Sequence, residues 1–256
     1  MITKISVIPG SLAEEIFFFS EADLTKLPDP RIVPLFGPNG IGKTTIIKNI
    51  LSAFNLQKVR QKLMNEDGVL SEQFFEKESL RAGIAIEMDS QQTEIYSYSN
   101  SSDNFRIREA RNCYEVYDPH FLSDRLNAKR ISEGQSIIYS AFALLDGLIP
   151  GKNMFGSLES CCVALLDEID SGLSVDNIDL AMRKLKKALK NRENLQVFLS
   201  FNSPRVLKYF PYVLSMYDGK VCEMHTDEDM LAEIRKNKKM FDKARKNSRG
   251  MPKIYD

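Results

Sequence analysis

The sequence predicts an α/β fold with a mainly parallel core sheet and a smaller antiparallel β-lobe. Three observations lead there. Short apolar runs alternate with segments of helical spacing, the pattern of strands joined by crossover helices. One such run, Ile32–Phe36, passes through the glycine-rich stretch Gly37-Pro38-Asn39-Gly40-Ile41-Gly42-Lys43-Thr44 into a helical pattern. Another, residues 161–166 (CCVALL), is apolar throughout and ends in Asp167-Glu168. A strand apolar on both faces belongs inside a parallel sheet.

The chain has 256 residues, 43% of them hydrophobic, enough for one large core with a small lobe attached. Its formal net charge is +0, so any attraction to nucleic acid or membrane has to come from a local patch. The four cysteines lack zinc-ligand spacing, and two sit inside an apolar run; they read as reduced core thiols. No secretory leader and no apolar run of about 20 residues is visible, so direct membrane insertion is not expected and the expected location is cytoplasmic.

Taken in order, residues 2–8 and 15–19 (EIFFF) read as strands, followed by Ile32–Phe36. Ile46, Ile47, Ile50, Leu51 and Phe54 give the following segment, 42–64, helical spacing. Residues 83–108 alternate apolar and polar between polar turns, which predicts an antiparallel meander with one wet face. A helix is expected over 132–148, a buried strand over 161–166, a helix over 174–191 and a strand over 195–201. A hairpin around Asp218-Gly219 and a charged helix from 227 complete the chain. The expected division is one domain over 1–225, with the β-lobe at 83–108 and a helical region at 120–150, then a basic helix and tail over 226–256.

Residues 37–44 match GxxxxGK[ST] at every fixed position, between a strand and a helix as the mechanism requires. Gly37, Pro38, Asn39, Gly40, Ile41 and Gly42 would wrap the backbone around phosphates, and Lys43 would reach the outer ones. Thr44 would offer a hydroxyl to Mg²⁺, with Thr45 beside it at the helix N-terminus. At the edge of the buried strand, Asp167 suits the Mg²⁺ shell. Glu168, one residue further, suits a base for an attacking water. Farther upstream, Ile131-Ser132-Glu133-Gly134-Gln135 opens a helix, with Ser132 as N-cap and Gly134 permitting close backbone approach.

The order of these motifs, followed by Ser171-Gly172-Leu173-Ser174, resembles the ATP-binding cassette (ABC) ATPase superfamily. Its signature is usually written LSGGQ; here Ile131 and Glu133 depart from it while Ser132, Gly134 and Gln135 keep it. The resemblance covers roughly residues 30–55 and 128–217. It implies a P-loop ATPase head that binds ATP with Mg²⁺, carries a helical signature lobe and hydrolyses ATP. It also implies a head-to-tail homodimer on ATP binding, in which Ser132, Gly134 and Gln135 act on the nucleotide of the other copy. Asp167-Glu168-Ile169-Asp170-Ser171-Gly172 is similar to the soluble branch: chromosome-maintenance, RecF- and RecN-type and OLD-like heads. That branch implies a conformational switch on a partner effector protein or nucleic acid, in DNA repair or phage defence. The alternative is the ATP-binding subunit of an ABC membrane transporter.

The strand at 195–201 ends in Ser200-Phe201-Asn202-Ser203-Pro204. Members of the superfamily commonly carry a γ-phosphate-contacting histidine there. Asn202 in its place can donate a hydrogen bond but cannot hold a proton, which implies slow turnover. The family's adenine contact and bridging glutamine are not located by pattern: Phe17, Phe18 and Phe19 read better as core, and Gln91, Gln92, Asp118 and His120 stay open. Two basic stretches, 183–192 and 235–253, are either solvated faces or docking surfaces for nucleic acid or protein.

Overall fold

A computed structural model describes residues 1–65, 72–89, 93–99, 133–149 and 160–238. Strand β1 is Ile2–Val7, helix α1 Leu12–Ile16, β2 Glu21–Asp23, β3 Ile32–Phe36, α2 Lys43–Asn65 and α3 Glu72–Ala82. Then come β4 (Ile84–Met88), β5 (Thr93–Ser99), α4 (Glu133–Leu148), β6 (Cys161–Asp167), α5 (Val175–Asn191) and β7 (Leu195–Ser200). The described part closes with β8 (Tyr212–Ser215), β9 (Val221–Glu223) and α6 (Asp227–Lys236).

Six strands form the core sheet in the order β5-β6-β7-β3-β8-β9. All neighbours run parallel except the terminal β8–β9 hairpin. The apolar runs that predicted buried strands supply its centre: β3 is buried along its whole length and β6 from Cys162 onward. Pro34 sits inside β3, where a missing N–H would cost a ladder bond. It pairs with Leu199 of β7, whereas β8 joins only from Leu35, so proline has a strand partner on one side only.

Of the positions picked out by helical spacing, Ile46, Ile47, Ile50 and Phe54 are buried and Leu51 is half-buried, so helix α2 lays this face on the core. Helix α5 buries Ile178, Ala181, Met182, Leu185, Ala188 and Leu189, a stripe with a charged opposite face. Its Asp179 takes a two-pronged ion pair from Arg205, at 2.9 and 2.7 Å. That pair fastens α5 to the short 3₁₀ turn Pro204–Lys208 that follows β7. Helix α6 opens on a reciprocal cap: Thr226 Oγ1 accepts from the Asp229 N–H, and the Asp229 carboxylate accepts from the Thr226 N–H.

The antiparallel sheet exists but is built differently from the expected meander. Strand β4 pairs with β1 in a three-stranded sheet, β2-β1-β4. Strand β5 instead joins the core sheet, parallel to β6 from Thr93 opposite Cys161 to Ser99 opposite Asp167. Alternation reports a strand with two different faces; it does not say which neighbour the strand will find. The two sheets are tied by Gln196 of β7, whose amide pairs with both the N–H and the C=O of Ile2 and with the Pro30 carbonyl.

The expected strand at 15–19 is also corrected. Residues 12–16 form α1, and the phenylalanines that follow are split, with Phe17 and Phe19 buried and stacked at 5.7 Å. The predicted hairpin at 212–224 forms as β8–β9. Gly219 adopts φ +69° there, and a Cβ would stand 2.6 Å from the Glu21 carbonyl. Residues 100–132 and 239–256, which include Asp118, His120 and most of the second basic stretch, lie outside the described residues. Among the described residues no helix is long and apolar enough to cross a membrane.

Candidate active site

The carboxyl ends of β3, β5, β6 and β7 lie side by side, which is where an open α/β sheet leaves room for a ligand. The loop 37–42 leaves β3 and turns into α2. Ile41 is buried and pins the loop, its N–H donating to the Pro38 carbonyl at 3.2 Å. At Gly42, with φ +103°, a Cβ would press on Phe17 Cε1 at 3.0 Å and Ile16 Cγ2 at 3.3 Å. Helix α1 and Phe17 therefore form the wall behind the loop, and only glycine lets the loop lie against it. The first turn of α2 carries no acidic residue, so nothing on the helix itself offsets the partial positive charge of its N-terminal N–H groups.

Lys43 is 5% exposed, and its Nζ donates to the Gly37 carbonyl of its own loop at 2.6 Å. Burial lowers its pKa, while Glu168, Asp170 and Asp167 act in the opposite direction. A lysine this desolvated, facing three carboxylates and held by one neutral carbonyl, is ready to exchange that carbonyl for an anion.

Asp167 is the hub of the site. Its Oδ1 accepts from Thr44 Oγ1 at 3.0 Å and from Ser200 Oγ at 2.6 Å, and its Oδ2 accepts from Ser99 Oγ at 3.3 Å. Three hydroxyls from α2, β7 and β5 thus fix one buried carboxylate. An all-oxygen set of one hydroxyl and one carboxylate fits Mg²⁺, which commonly takes one or two carboxylates and completes its shell with phosphate oxygens and water.

Glu168 has φ +52°, the only positive φ at a non-glycine among the described residues. The left-handed conformation costs about 1–2 kcal/mol for a residue with a Cβ. Two bonds hold it: the Glu168 N–H donates to Ser200 Oγ at 2.8 Å, and its carbonyl accepts from the Ser171 N–H at 3.0 Å. The carboxylate lies beside Asn202, whose Nδ2 reaches Oε1 at 3.5 Å. Asp170 is buried, and its Oδ2 accepts the N–H groups of Asn202 and Ser203 at 2.9 and 2.6 Å, clamping the exit of β7 to the acidic turn. Among the described residues its Oδ1 has no hydrogen-bond partner, and burial raises its pKa.

The predicted residues Lys43, Thr44, Asp167, Glu168 and Asn202 therefore converge in one place. Ser132 lies outside the described residues; Gly134 and Gln135 are in the first turn of α4, whose described packing is against α5. Three participants were not singled out from sequence: Ser99, Ser200 and Asp170. Ser200 carried a signal, a small polar residue directly after the apolar run LQVFL, at the point where a parallel strand opens into the crevice. Ser99 carried none, because the neighbour of β5 was not legible.

No family model and no curated protein matches the chain. Among solved structures it is similar to cbiO1 from Clostridium perfringens, described as part of the ABC transporter complex cbiONQ. The identity is 16% over 96% of this chain and 98% of the other, with a TM-score of 0.41. A likeness at that level does not carry a functional assignment, which rests on the residues of the site.

Proposed function

We propose that the chain is a Mg²⁺-dependent ATPase of ABC type. The observation that carries the reading is the bond from Thr44, directly after the loop lysine, to Asp167 at the edge of β6, at 3.0 Å. Two motifs 123 positions apart meet as a phosphate-binding loop and a metal-binding carboxylate are expected to meet. The loop N–H groups and Lys43 would bind the phosphates, and Thr44 and Asp167 would hold Mg²⁺, which would neutralise phosphate charge. Glu168 accepts a proton from a water that attacks the γ-phosphorus. As the new P–O bond forms, the bond to the bridging oxygen breaks and its electrons leave with ADP. Asn202 lies within reach of Glu168 and orients rather than transfers a proton.

In the same proposal Ser132, together with Gly134 and Gln135 in the first turn of α4, completes the ATP site of a second copy, so that binding closes a head-to-tail dimer. Hydrolysis reopens it, and the cycle switches a partner protein or nucleic acid. Lys43→Ala should weaken ATP binding by about 100-fold or more, equivalent to about 2.7 kcal/mol. Calorimetric titration checks this, and unchanged affinity would overturn the loop assignment. Glu168→Gln should slow hydrolysis by about 10²–10⁴-fold while ATP binding persists. Size analysis with ATP should then show a dimer, and a persistent monomer would remove the sandwich.

A further inference from the structure

At the opposite end of the core sheet from the phosphate loop lies a cavity of about 480 Å³. It opens beside Ile32, the first residue of β3, whereas the loop follows the last. A five-residue strand at ~3.4 Å per residue separates the two by roughly 17 Å, so this cavity is not part of the nucleotide site. Its volume is within the range of small-molecule pockets, about 300–1,000 Å³.

The walls are apolar and aromatic: Leu27, Ile32, Leu189, Phe210 and Tyr212 contribute to them. The charged residues at the wall fall into two groups. Asp29 and Arg31 satisfy each other, with Arg31 Nε and NH2 donating to the two carboxylate oxygens at 2.9 and 2.8 Å, and Arg31 NH1 donating to the Leu189 carbonyl at 2.9 Å. That pair offers a ligand little. Lys186 and Lys190 differ. They stand one turn apart on the same face of α5, both exposed, and among the described residues neither forms an ion pair. The Lys186 ammonium is held over the rings of Tyr209 and Phe210, at 5.4 and 5.8 Å from their centroids, which fixes it at the mouth of the cavity.

An apolar chamber with two uncompensated ammonium groups at its mouth is complementary to one kind of ligand. We infer that this cavity binds a small amphipathic carboxylate, its hydrocarbon body against Ile32, Leu189 and Phe210 and its carboxylate between Lys186 and Lys190. The inference is independent of the ATPase reading, because no group of the nucleotide site takes part.

The test uses the full chain and two probes, octanoate and 4-phenylbutyrate, each against its neutral alcohol. Saturable binding of at least one acid is expected, with methyl shifts centred on Ile32 and Leu189. The matching alcohol should bind about tenfold more weakly, and so should the acid to the Lys186→Gln/Lys190→Gln variant, within the range for two exposed ion pairs. Added salt should weaken the acid and leave the alcohol unchanged. Lys43→Ala should bind the acid as tightly as wild type, which separates this site from the phosphate loop. Four outcomes would each overturn the inference: neither acid binds, the alcohols bind equally well, the charge-neutral variant binds unchanged, or Lys43→Ala abolishes binding.

Discussion

Strand β7 carries a fully buried polar residue near each end, Gln196 and Ser200, and the two are used in different ways. Gln196 spends its amide on neutral backbone: the N–H and C=O of Ile2 and the C=O of Pro30, at 2.7, 2.8 and 2.9 Å. Ser200 donates to a carboxylate, Asp167, and accepts from the N–H of Glu168, the residue in a left-handed conformation. Saturated neutral partners mark a joint of the scaffold. A hydroxyl shared between a charge and a strained residue marks a site whose polar groups are arranged for something else. The same contrast separates the ion pair Asp29–Arg31, which satisfies itself, from Lys43, whose ammonium donates to a neutral loop carbonyl.

The widest difference should appear on removing Gln196. Gln196→Leu fills similar space but leaves three backbone groups without partners, at about 1 kcal/mol or more each. Stability should fall by about 3 kcal/mol in urea unfolding, while the folded fraction keeps its ATP affinity. A large loss of ATP affinity with little loss of stability would reverse the roles assigned to the two ends. Ser200→Ala should behave in the opposite way. A hydrogen bond to a charged group is worth about 1.5–3 kcal/mol, and part of that should surface as a fall in kcat of about tenfold, because Asp167 loses a fixing bond and Glu168 loses the acceptor of its N–H. Steady-state ATPase assays beside unfolding curves decide this; a stability loss with unchanged kcat would make Ser200 another scaffold joint.

The strands, helices and phosphate loop are largely legible in the sequence, whereas this contrast is not, and the reason is physical. The loop 37–44, the run into Asp167-Glu168 and the helical stripes of α2 and α5 are local patterns, and they formed where they were read. The alternation in β5 predicts a strand but not its sheet, because two-fold alternation is the same for an antiparallel neighbour and for the parallel edge next to β6. Ser99 is illegible for the same reason, because it reaches Asp167 only through that pairing. The stretch EIFFF looked like a strand because three phenylalanines dominate it. In the structure residues 12–16 close into a short helix whose end, with Phe17, backs Gly42. Asp170 was visible only as one letter of an acidic motif. Its clamp on Asn202 and Ser203 depends on two segments 32 positions apart meeting, which no local pattern encodes.

The smallest expected effect is at Asn202. Its backbone N–H is anchored by Asp170 at 2.9 Å, so the side chain is delivered to the site by a fixed loop whatever residue occupies the position. What the side chain adds is a long contact to Glu168, 3.5 Å from Nδ2 to Oε1, with the Asn202 side chain itself exposed. An exposed, long hydrogen bond contributes little to stability, so Asn202→Ala and Asn202→His should unfold within about 0.5 kcal/mol of wild type. Catalysis is where they should separate. Histidine can carry a positive charge near pH 6.5, which would stabilise charge on the γ-phosphate, an addition that asparagine cannot make. Asn202→His should therefore raise kcat several-fold and give the rate a new dependence on pH between about 5 and 8, where imidazole titrates. Asn202→Ala should lower kcat with little change in KM. A pH–rate profile of the three chains tests the assignment: superimposable curves would leave Asn202 as a loop residue and place the control of turnover elsewhere.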